Sequence, residues 1–348
     1  MRHGRPTIGH LDPAFVGMMD ETKEGLKTIF KTENELTMPV SGPGSSGMET
    51  CFANLVEPGD KVIVCIDGVF SMSMKENITR LGGEAIIVED NWGEAVSVDK
   101  LEGALKITQM PILLLLCMLR TSTGAQSDAK ASCKLARQYD CITIIDTVTS
   151  LGGTELRVDE WKIDAIYSGT QKCLSAMPGI SPISFGERAI KKLNTRKTPV
   201  SSWFLDLNLV MGYWGEGAKR TYHHTVPVNT LYGLHESLVM ILEEGIENSW
   251  ARHQKNHELL RDGLEAMGIN FLVNKKDRLP QLNSVFIPEG VDDAQVRTTL
   301  LNDYNLEIGA GLGAYAGKVW RIGLMGYASR KENIVLCLSA LEEILASK

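Results

Sequence analysis

Short apolar runs alternate with helical patterns through the first half of the chain. The apolar runs lie at residues 61–66, 85–88, 112–119, 142–145, 165–167 and 183–185. Helical spacing of apolar side chains occupies residues 48–56, 71–81 and 128–139. Continuous apolar runs are typical of strands that are buried on both faces. Their alternation with helices predicts an α/β fold with a mostly parallel central sheet flanked by helices.

The pattern changes in the second half of the chain. Helical spacing runs from residue 231 to residue 266, with a glycine at 245, and shorter elements follow it. We assign strands to 284–287 and 319–322 and helices to 294–302 and 331–346. This mixture is typical of a smaller α+β domain. We place the boundary beside the glycine, which gives a large domain of residues 1–244 and a small C-terminal domain of residues 245–348.

Composition narrows the classes of function. The chain has 348 residues, of which 43% are apolar, and this length suffices for two domains. Its net charge of −7 comes without a block of Lys or Arg, so we expect no nucleic-acid partner. The longest apolar run is too short to cross a bilayer, and the first residues hold no apolar stretch of a signal peptide. We expect a cytoplasmic protein that does not associate with membranes.

Cysteine and histidine spacing does not suggest a metal site. The seven cysteines are scattered, and four lie in apolar runs, as is typical of small core residues in a reducing compartment. His223 and His224 are adjacent, so in an extended segment they point to opposite sides, and no third ligand has a suitable spacing. We therefore expect no bound metal.

Asp146 and Lys172 carry the clearest chemical signal. Asp146 ends the run at 142–145, and Lys172 follows the run at 165–167 by five residues. Ligands of parallel sheets bind beyond the carboxyl ends of the strands, where both residues fall. A lysine that forms a Schiff base, with an aspartate that keeps a proton on a pyridine nitrogen, suits pyridoxal 5′-phosphate. A solvated surface lysine is the alternative for Lys172 taken alone.

Three further segments fit such a cofactor. The small residues at 41–47 precede a predicted helix, and such a helix start binds phosphate, although an ordinary capping turn looks the same. Ser122 follows the longest apolar run, where its hydroxyl either meets the cofactor ring or caps a helix. Phe70 follows the first run, where its ring either stacks on the cofactor or belongs to the core.

Arg321 is a candidate for binding the substrate. It lies between apolar residues in the predicted strand at 319–322. Burying an arginine is costly unless the side chain meets an anion, and the planar fork of arginine matches a carboxylate. A substrate carboxylate is one such partner, and a structural ion pair is the alternative.

Five stretches together resemble the class V aminotransferases among the fold-type I pyridoxal-phosphate enzymes. They are residues 8–13, 146–153, 168–172, 222–225 and 317–323. The resemblance covers nearly the whole chain and is closest to the alanine–glyoxylate and serine–pyruvate aminotransferases. It implies the fold-type I transferase fold, with Lys172 as the Schiff-base lysine and proton carrier and Asp146 as the partner of the pyridine nitrogen.

The same resemblance implies the remaining site residues. Arg321 binds the substrate carboxylate. Tyr222 and Thr225 reach the cofactor phosphate of the neighbouring subunit, which implies a homodimer with shared active sites. The full set of implied cofactor contacts is Gly44, Ser45, Phe70, Ser122, Asp146, Gln171, Lys172, Tyr222 and Thr225.

The expected function is transfer of an amino group from L-alanine or L-serine to glyoxylate or pyruvate, with ping-pong kinetics. Ureidoglycine–glyoxylate exchange, or the reaction of another class V aminotransferase, is the near alternative. Cysteine desulfuration shares the fold but needs a cysteine on a loop near the cofactor, and Cys173 is expected to point away. A catalytically impaired cofactor-binding homologue is a further alternative. Arg120 replaces an acid of the family, and the chain starts after the family's Gly-Pro-rich first segment.

Overall fold

The computed structural model describes residues 6–66, 69–108, 113–117, 123–215 and 220–346, without the side chains of 69–71 and 116–117. Its α-helices are α1 (Pro13–Phe30), α2 (Gly44–Leu55), α3 (Val69–Arg80), α4 (Val98–Ile107), α5 (Ala129–Gln138), α6 (Val158–Trp161), α7 (Glu187–Asn194), α8 (Leu207–Trp214), α9 (Val228–Glu244), α10 (Ile246–Ala266), α11 (Asp293–Tyr304) and α12 (Lys331–Ala346). Its strands are β1 (Leu36–Ser41), β2 (Lys61–Ile66), β3 (Glu84–Glu89), β4 (Leu113–Cys117), β5 (Ile142–Asp146), β6 (Ala165–Tyr167), β7 (Ile180–Phe185), β8 (Leu282–Phe286), β9 (Gly309–Ala310) and β10 (Val319–Gly323).

Within the described residues, the first seven strands form one sheet in the order β1-β7-β6-β5-β4-β2-β3. The neighbouring strands β6, β5, β4, β2 and β3 pair in parallel. Strand β7 is antiparallel to both β6 and β1. The last three strands form a second, antiparallel sheet in the order β8-β10-β9. This architecture confirms the predicted α/β class with its mostly parallel central sheet.

Burial of β5 explains why its sequence is so apolar. All five of its residues are buried, since helices cover both faces of the sheet. Helix α2 packs on β6 and β7, and its close approach depends on Gly47. A Cβ there would lie 2.0 Å from Ser181 Oγ and 3.1 Å from Tyr167 Cβ. The start of α2 is therefore held directly against the strand that precedes Lys172.

Two clusters of buried apolar side chains form the cores. One extends from Phe15 to Leu282 along the chain and surrounds the large sheet. The other includes Leu260 and continues to residue 344 around the small sheet. Helix α10 contributes to both clusters, through Ile246 at its start and Leu260 further along. The division into residues 1–244 and 245–348 stays a prediction.

Several stretches differ from the sequence prediction. The helical pattern at 231–266 forms two helices, because Gly245 adopts a φ of 86° and lies between α9 and α10. Strand β7 begins at Ile180, three residues before the predicted start. The unpredicted β1 pairs along its whole length. None of the described helices is long and apolar enough to span a membrane.

Candidate active site

Asp146 and Tyr167 are neighbours at the carboxyl edge of the central sheet. Asp146 ends β5, Tyr167 ends β6, and the two residues are in register across the parallel pair. The chain then turns, and Lys172 follows Tyr167 by five residues. The structure thus places Asp146 and Lys172 at the same edge of the sheet, where ligands of this architecture bind.

A cavity of about 200 Å³ opens at this edge. It is lined by Pro43, Gly44, Ser45, Met48, Ser73, Asp146, Val148, Tyr167, Gln171 and Lys172. Gly44, Ser45, Asp146, Gln171 and Lys172 are residues that the sequence analysis selected, and the fold brings them together. A larger polar cleft of about 740 Å³, lined in part by Glu94 and Asn274, contains none of the predicted site residues.

The carboxylate of Asp146 is buried and fixed by two donors. The backbone amide of Val148 donates to Oδ1 at 2.8 Å, and the hydroxyl of Tyr167 donates to Oδ2 at 2.8 Å. Burial raises the pKa of Asp146 to about 6, although both hydrogen bonds act to lower it. A cationic ring nitrogen beside this carboxylate would offset the cost of burying its charge.

Lys172 is half-buried beside the cavity. Burial lowers its pKa, and the positive charge of Arg321 lowers it further. The turn that carries it is held by the amide of Ser175, which donates to the carbonyl of Lys172 at 2.9 Å, and by the hydroxyl of Thr170, which donates to the carbonyl of Met177 at 2.5 Å. A lysine with a lowered pKa has more free amine at neutral pH, which a nucleophile and proton acceptor requires.

The Gly/Ser loop (residues 41–47) runs into the first turn of α2. Pro43 precedes the helix and has no side-chain group with which to cap it, so the helix start is left to face the cavity. Gly42 adopts a φ of 126°, and a Cβ there would lie 2.0 Å from Ser46 Oγ. A Cβ on Gly44 would lie 3.1 Å from Val148 Cγ2. The loop therefore gives an anion close access to backbone amides and to the positive end of the helix dipole.

Arg321 lies in β10 of the small sheet, close enough for its charge to act on Lys172, although it is not among the residues that line the cavity. Its Nε donates to the carbonyl of Ala310 at 2.7 Å, which fixes the orientation of the guanidinium. Burial lowers the pKa of Arg321, and the charge of its guanidinium acts on Lys172. A half-buried cation whose charge acts on Lys172 can attract a carboxylate towards that lysine.

Tyr222 and Thr225 do not reach the cavity of their own chain. Both are exposed, and their hydroxyl oxygens lie 3.4 Å apart. The intervening histidines are anchored instead: His224 Nε2 lies 2.7 Å from Ser41 Oγ, and the His223 ring stacks on Trp203 at 4.2 Å. The segment is thus held in place while Tyr222 and Thr225 project outwards.

The side chains of two predicted cofactor contacts lie outside what the structure describes. Ser122 and its neighbour Arg120 are beyond the described residues, and of Phe70 only the backbone, in α3, is described. The sequence analysis in turn missed Met48, Val148 and Tyr167 as cavity residues. Tyr167 carried a usable signal, since it ends the predicted strand next to that of Asp146.

The fold and the site define an α/β enzyme with a buried carboxylate, an amine of lowered pKa and a helix start at one cavity. The aminotransferase class-V family model matches residues 3–334. The chain belongs to this family.

Known proteins are similar to this chain in sequence and in structure. The alanine–glyoxylate aminotransferase of Drosophila melanogaster is 39% identical, over 98% of this chain and 87% of its own. The (S)-ureidoglycine–glyoxylate transaminase of Bacillus subtilis is 36% identical, over 98% and 85%. The crystal structure of an alanine–glyoxylate aminotransferase from Nostoc sp. superposes with a TM-score of 0.95 at 45% identity, covering 99% of this chain and 90% of that one.

Proposed function

We propose that the protein is a pyridoxal-phosphate-dependent transaminase that moves an amino group from L-alanine or L-serine to glyoxylate or pyruvate. The observation that carries this proposal is the convergence of Asp146, Lys172 and the start of α2 on one cavity. The chemistry of these groups fits the cofactor: a buried acid for the ring nitrogen, an amine for the aldehyde and an anion-binding helix start for the phosphate.

Different residues of the cavity bind different parts of the cofactor. Asp146 keeps a proton on the pyridine nitrogen, and Gly44, Ser45 and Gln171 hold the phosphate at the helix start. Val148 and Met48 supply apolar surface in the same cavity. When bound, the cofactor supplies an electron sink for negative charge at the substrate α-carbon.

Arg321 binds the substrate, and Lys172 transfers the proton. Arg321 binds the substrate carboxylate by its guanidinium, which the carbonyl of Ala310 orients. The free amine of Lys172 accepts the proton from the substrate α-carbon and later returns a proton, as general base and then general acid. The reaction proceeds in two half-reactions, so that the keto acid product leaves before the second substrate binds.

A second candidate reaction is exchange between ureidoglycine and glyoxylate. A solved ureidoglycine–glyoxylate aminotransferase from Bacillus subtilis superposes with a TM-score of 0.96 at 37% identity, covering 99% of this chain and 89% of that one. The two candidates share the acceptor and differ in the donor, so a donor panel separates them. Cysteine desulfuration is disfavoured by Cys173, whose thiol is buried and donates to the carbonyl of Thr149 at 3.3 Å.

Tyr222 and Thr225 support a homodimer with shared active sites. Both project from a segment that is anchored to the Gly/Ser loop through Ser41 and His224. In a twofold dimer their hydroxyls would complete the phosphate site of the other subunit. The cysteines whose side chains the structure describes are buried and form no disulfide, which supports a cytoplasmic setting.

Absorbance of the purified protein with pyridoxal phosphate tests the proposal. L-Alanine should convert the visible spectrum of the bound cofactor, and glyoxylate should restore it. Ureidoglycine, L-serine and L-cysteine are compared as donors at equal concentration, and Lys172→Ala serves as the inactive control. A cofactor spectrum that no donor changes would instead favour an impaired cofactor-binding homologue.

A further inference from the structure

Hydrogen bonds join Asp146 and Tyr167 in two ways. The Tyr167 hydroxyl donates to Asp146 Oδ2 at 2.8 Å. In return Thr147, the next residue after Asp146, donates to the carbonyl of Tyr167 from its amide and from its hydroxyl, each at 2.9 Å. The ends of β5 and β6 are therefore joined through side chains as well as through the strand ladder.

Tyr167 itself cannot move away from this position. It is 2% exposed, and its Cβ lies against the α2 backbone at Gly47, where an added methyl would come within 3.1 Å. Its ring nevertheless lines the cavity beside Asp146. A rigid residue that both lines the cavity and bonds to the carboxylate fixes the direction in which that carboxylate points.

Among the residues that the structure describes, few other groups face this carboxylate. The amide of Val148 occupies Oδ1, the thiol of Cys51 approaches from α2, and Lys172 stands across the cavity. Burial raises the pKa of Asp146 to about 6, against the lowering effect of the Val148 amide and the Tyr167 hydroxyl. Among these contacts Tyr167 is the side chain that donates to the carboxylate.

We propose that Tyr167 is a positioning residue for Asp146. Its hydroxyl holds the buried carboxylate in one orientation and stabilises the anion, so that Asp146 can keep a proton on the ring nitrogen of the cofactor. Tyr167 acts through Asp146 and is not itself a proton carrier. This inference rests on the proposed function, because it assigns Tyr167 a role towards the same cofactor.

Tyr167→Phe removes the hydroxyl and keeps the ring packing. Thr143→Val is the matched control, because Thr143 donates to another buried carboxylate, that of Asp164, between the same two strands but away from the cavity. Pyridoxal phosphate is titrated into the cofactor-depleted protein, and the dissociation constant is read from tryptophan fluorescence between pH 5 and 9. Urea unfolding of each variant reports the general loss of stability.

Tyr167→Phe should weaken cofactor binding about tenfold to a hundredfold at neutral pH, since a hydrogen bond to a charged group is lost. Affinity should also be lost at a higher pH than in the parent as the solution is acidified, because the missing donor raises the pKa of Asp146 further. Thr143→Val should lower stability without either effect. Equal effects of the two variants, or a Tyr167→Phe variant with the parent's affinity and pH profile, would overturn the inference.

A double-mutant cycle separates positioning from mere packing. In an Asp146→Asn background, Tyr167→Phe should cause little further loss of affinity if it acts through Asp146. Additive losses would contradict that route. Tyr167→His, which keeps an aromatic ring and a donor, should bind the cofactor better than Tyr167→Phe. If the parent chain itself fails to bind pyridoxal phosphate, the proposed function fails, whereas binding by the parent and equally by Tyr167→Phe removes only this inference.

Discussion

Ser41 Oγ and His224 Nε2 lie 2.7 Å apart, and this hydrogen bond joins the Gly/Ser loop to the segment that carries Tyr222 and Thr225. His224 Nδ1 in turn lies 2.7 Å from His223 Nδ1, so one of the two nitrogens must be unprotonated. Burial lowers the pKa of His224, and the neighbouring His223 lowers it further. A lowered pKa favours the neutral ring, in which one nitrogen carries no proton. Within one subunit, the loop proposed to hold the phosphate is thus tied to the segment proposed to serve the other subunit.

Mixed dimers test whether the active sites are shared. Lys172→Ala and Tyr222→Ala chains should each be nearly inactive alone, because each lacks one part of every site. After unfolding and refolding together, roughly a quarter of the parent activity should return, since half of the dimers are mixed and each mixed dimer has one intact site. Recovery is measured as alanine–glyoxylate turnover against size-exclusion profiles. No recovery in a mixture that forms dimers would contradict shared sites.

Asp146→Ala should lower the transamination rate by about a hundredfold or more, because the proton on the ring nitrogen is no longer held. Steady-state kinetics with L-alanine and glyoxylate measure the change. Asp303→Ala, on the exposed surface of α11, is the control and should leave the rate unchanged. A near-normal rate in Asp146→Ala would remove the assigned role.

Lys172→Ala should abolish the covalent link to the cofactor and the turnover that depends on it. Borohydride reduction followed by peptide mass spectrometry measures the link directly, as a pyridoxyl-modified lysine. Lys134→Ala, at an exposed position of α5, should keep both the link and the activity. Modification of a different lysine in the parent protein would show that the cofactor is held elsewhere.

Arg321→Lys should raise the KM for both the amino acid and the keto acid by about tenfold, because a point charge replaces the planar fork that matches a carboxylate. The cofactor spectrum should persist, since the substitution leaves the cavity residues in place. Arg297→Lys is a matched control, because Arg297 pairs with Asp293 within α11. An unchanged KM would favour a structural ion pair for Arg321.

Stability should fall in acid because of His253. This imidazole is fully buried, its Nδ1 lies 2.7 Å from the carbonyl of Ser249, and its Nε2 accepts from the amide of Gly326 at 2.9 Å. Burial lowers the pKa of His253 to about 4, below its usual 6.5. The folded state therefore binds the proton less readily than the unfolded state. The resulting stability is present above pH 6.5 and is lost as the pH falls towards 4.

The loss should amount to roughly 3 kcal/mol in the free energy of unfolding. Urea titrations at steps between pH 7 and pH 4 measure it, within the range where the parent unfolds reversibly. His253→Gln, which cannot titrate, should flatten this part of the pH dependence. An equal slope in both proteins would assign the acid sensitivity to other groups.

The elements with long, regular patterns were predictable from sequence. The assigned helix at 331–346 agrees with α12 at both ends, and the assigned strand at 165–167 agrees with β6. Elements with weaker patterns were not assigned, among them α7 and α8. Helix α7 has only eight residues, half of them charged, so its apolar face is small.

The site was predictable only in part, for a reason that lies in geometry. Asp146 and Lys172 stand out by residue type and position, but the contact between Asp146 and Tyr167 depends on strand register, which sequence spacing does not give. The approach of Arg321 to Lys172 depends on how the two sheets are arranged relative to each other. Such contacts arise from residues far apart in sequence and appear only in the folded chain.

Helix α10 crosses from one hydrophobic core to the other as a continuous rod about 30 Å long. Its first turns are tied to the turn that follows β5, where Ser249 donates to the carbonyl of Gly152 at 2.7 Å, and the helix starts at the bend formed by Gly245. When a rigid helix turns about one end, its other end moves furthest. A tilt of about 5° at the bend would displace the far end by about 3 Å, a distance comparable to a hydrogen bond. A small change in backbone angle beside Gly245 would therefore cause its largest displacement at the end of the helix that packs in the core of the small sheet, which carries Arg321.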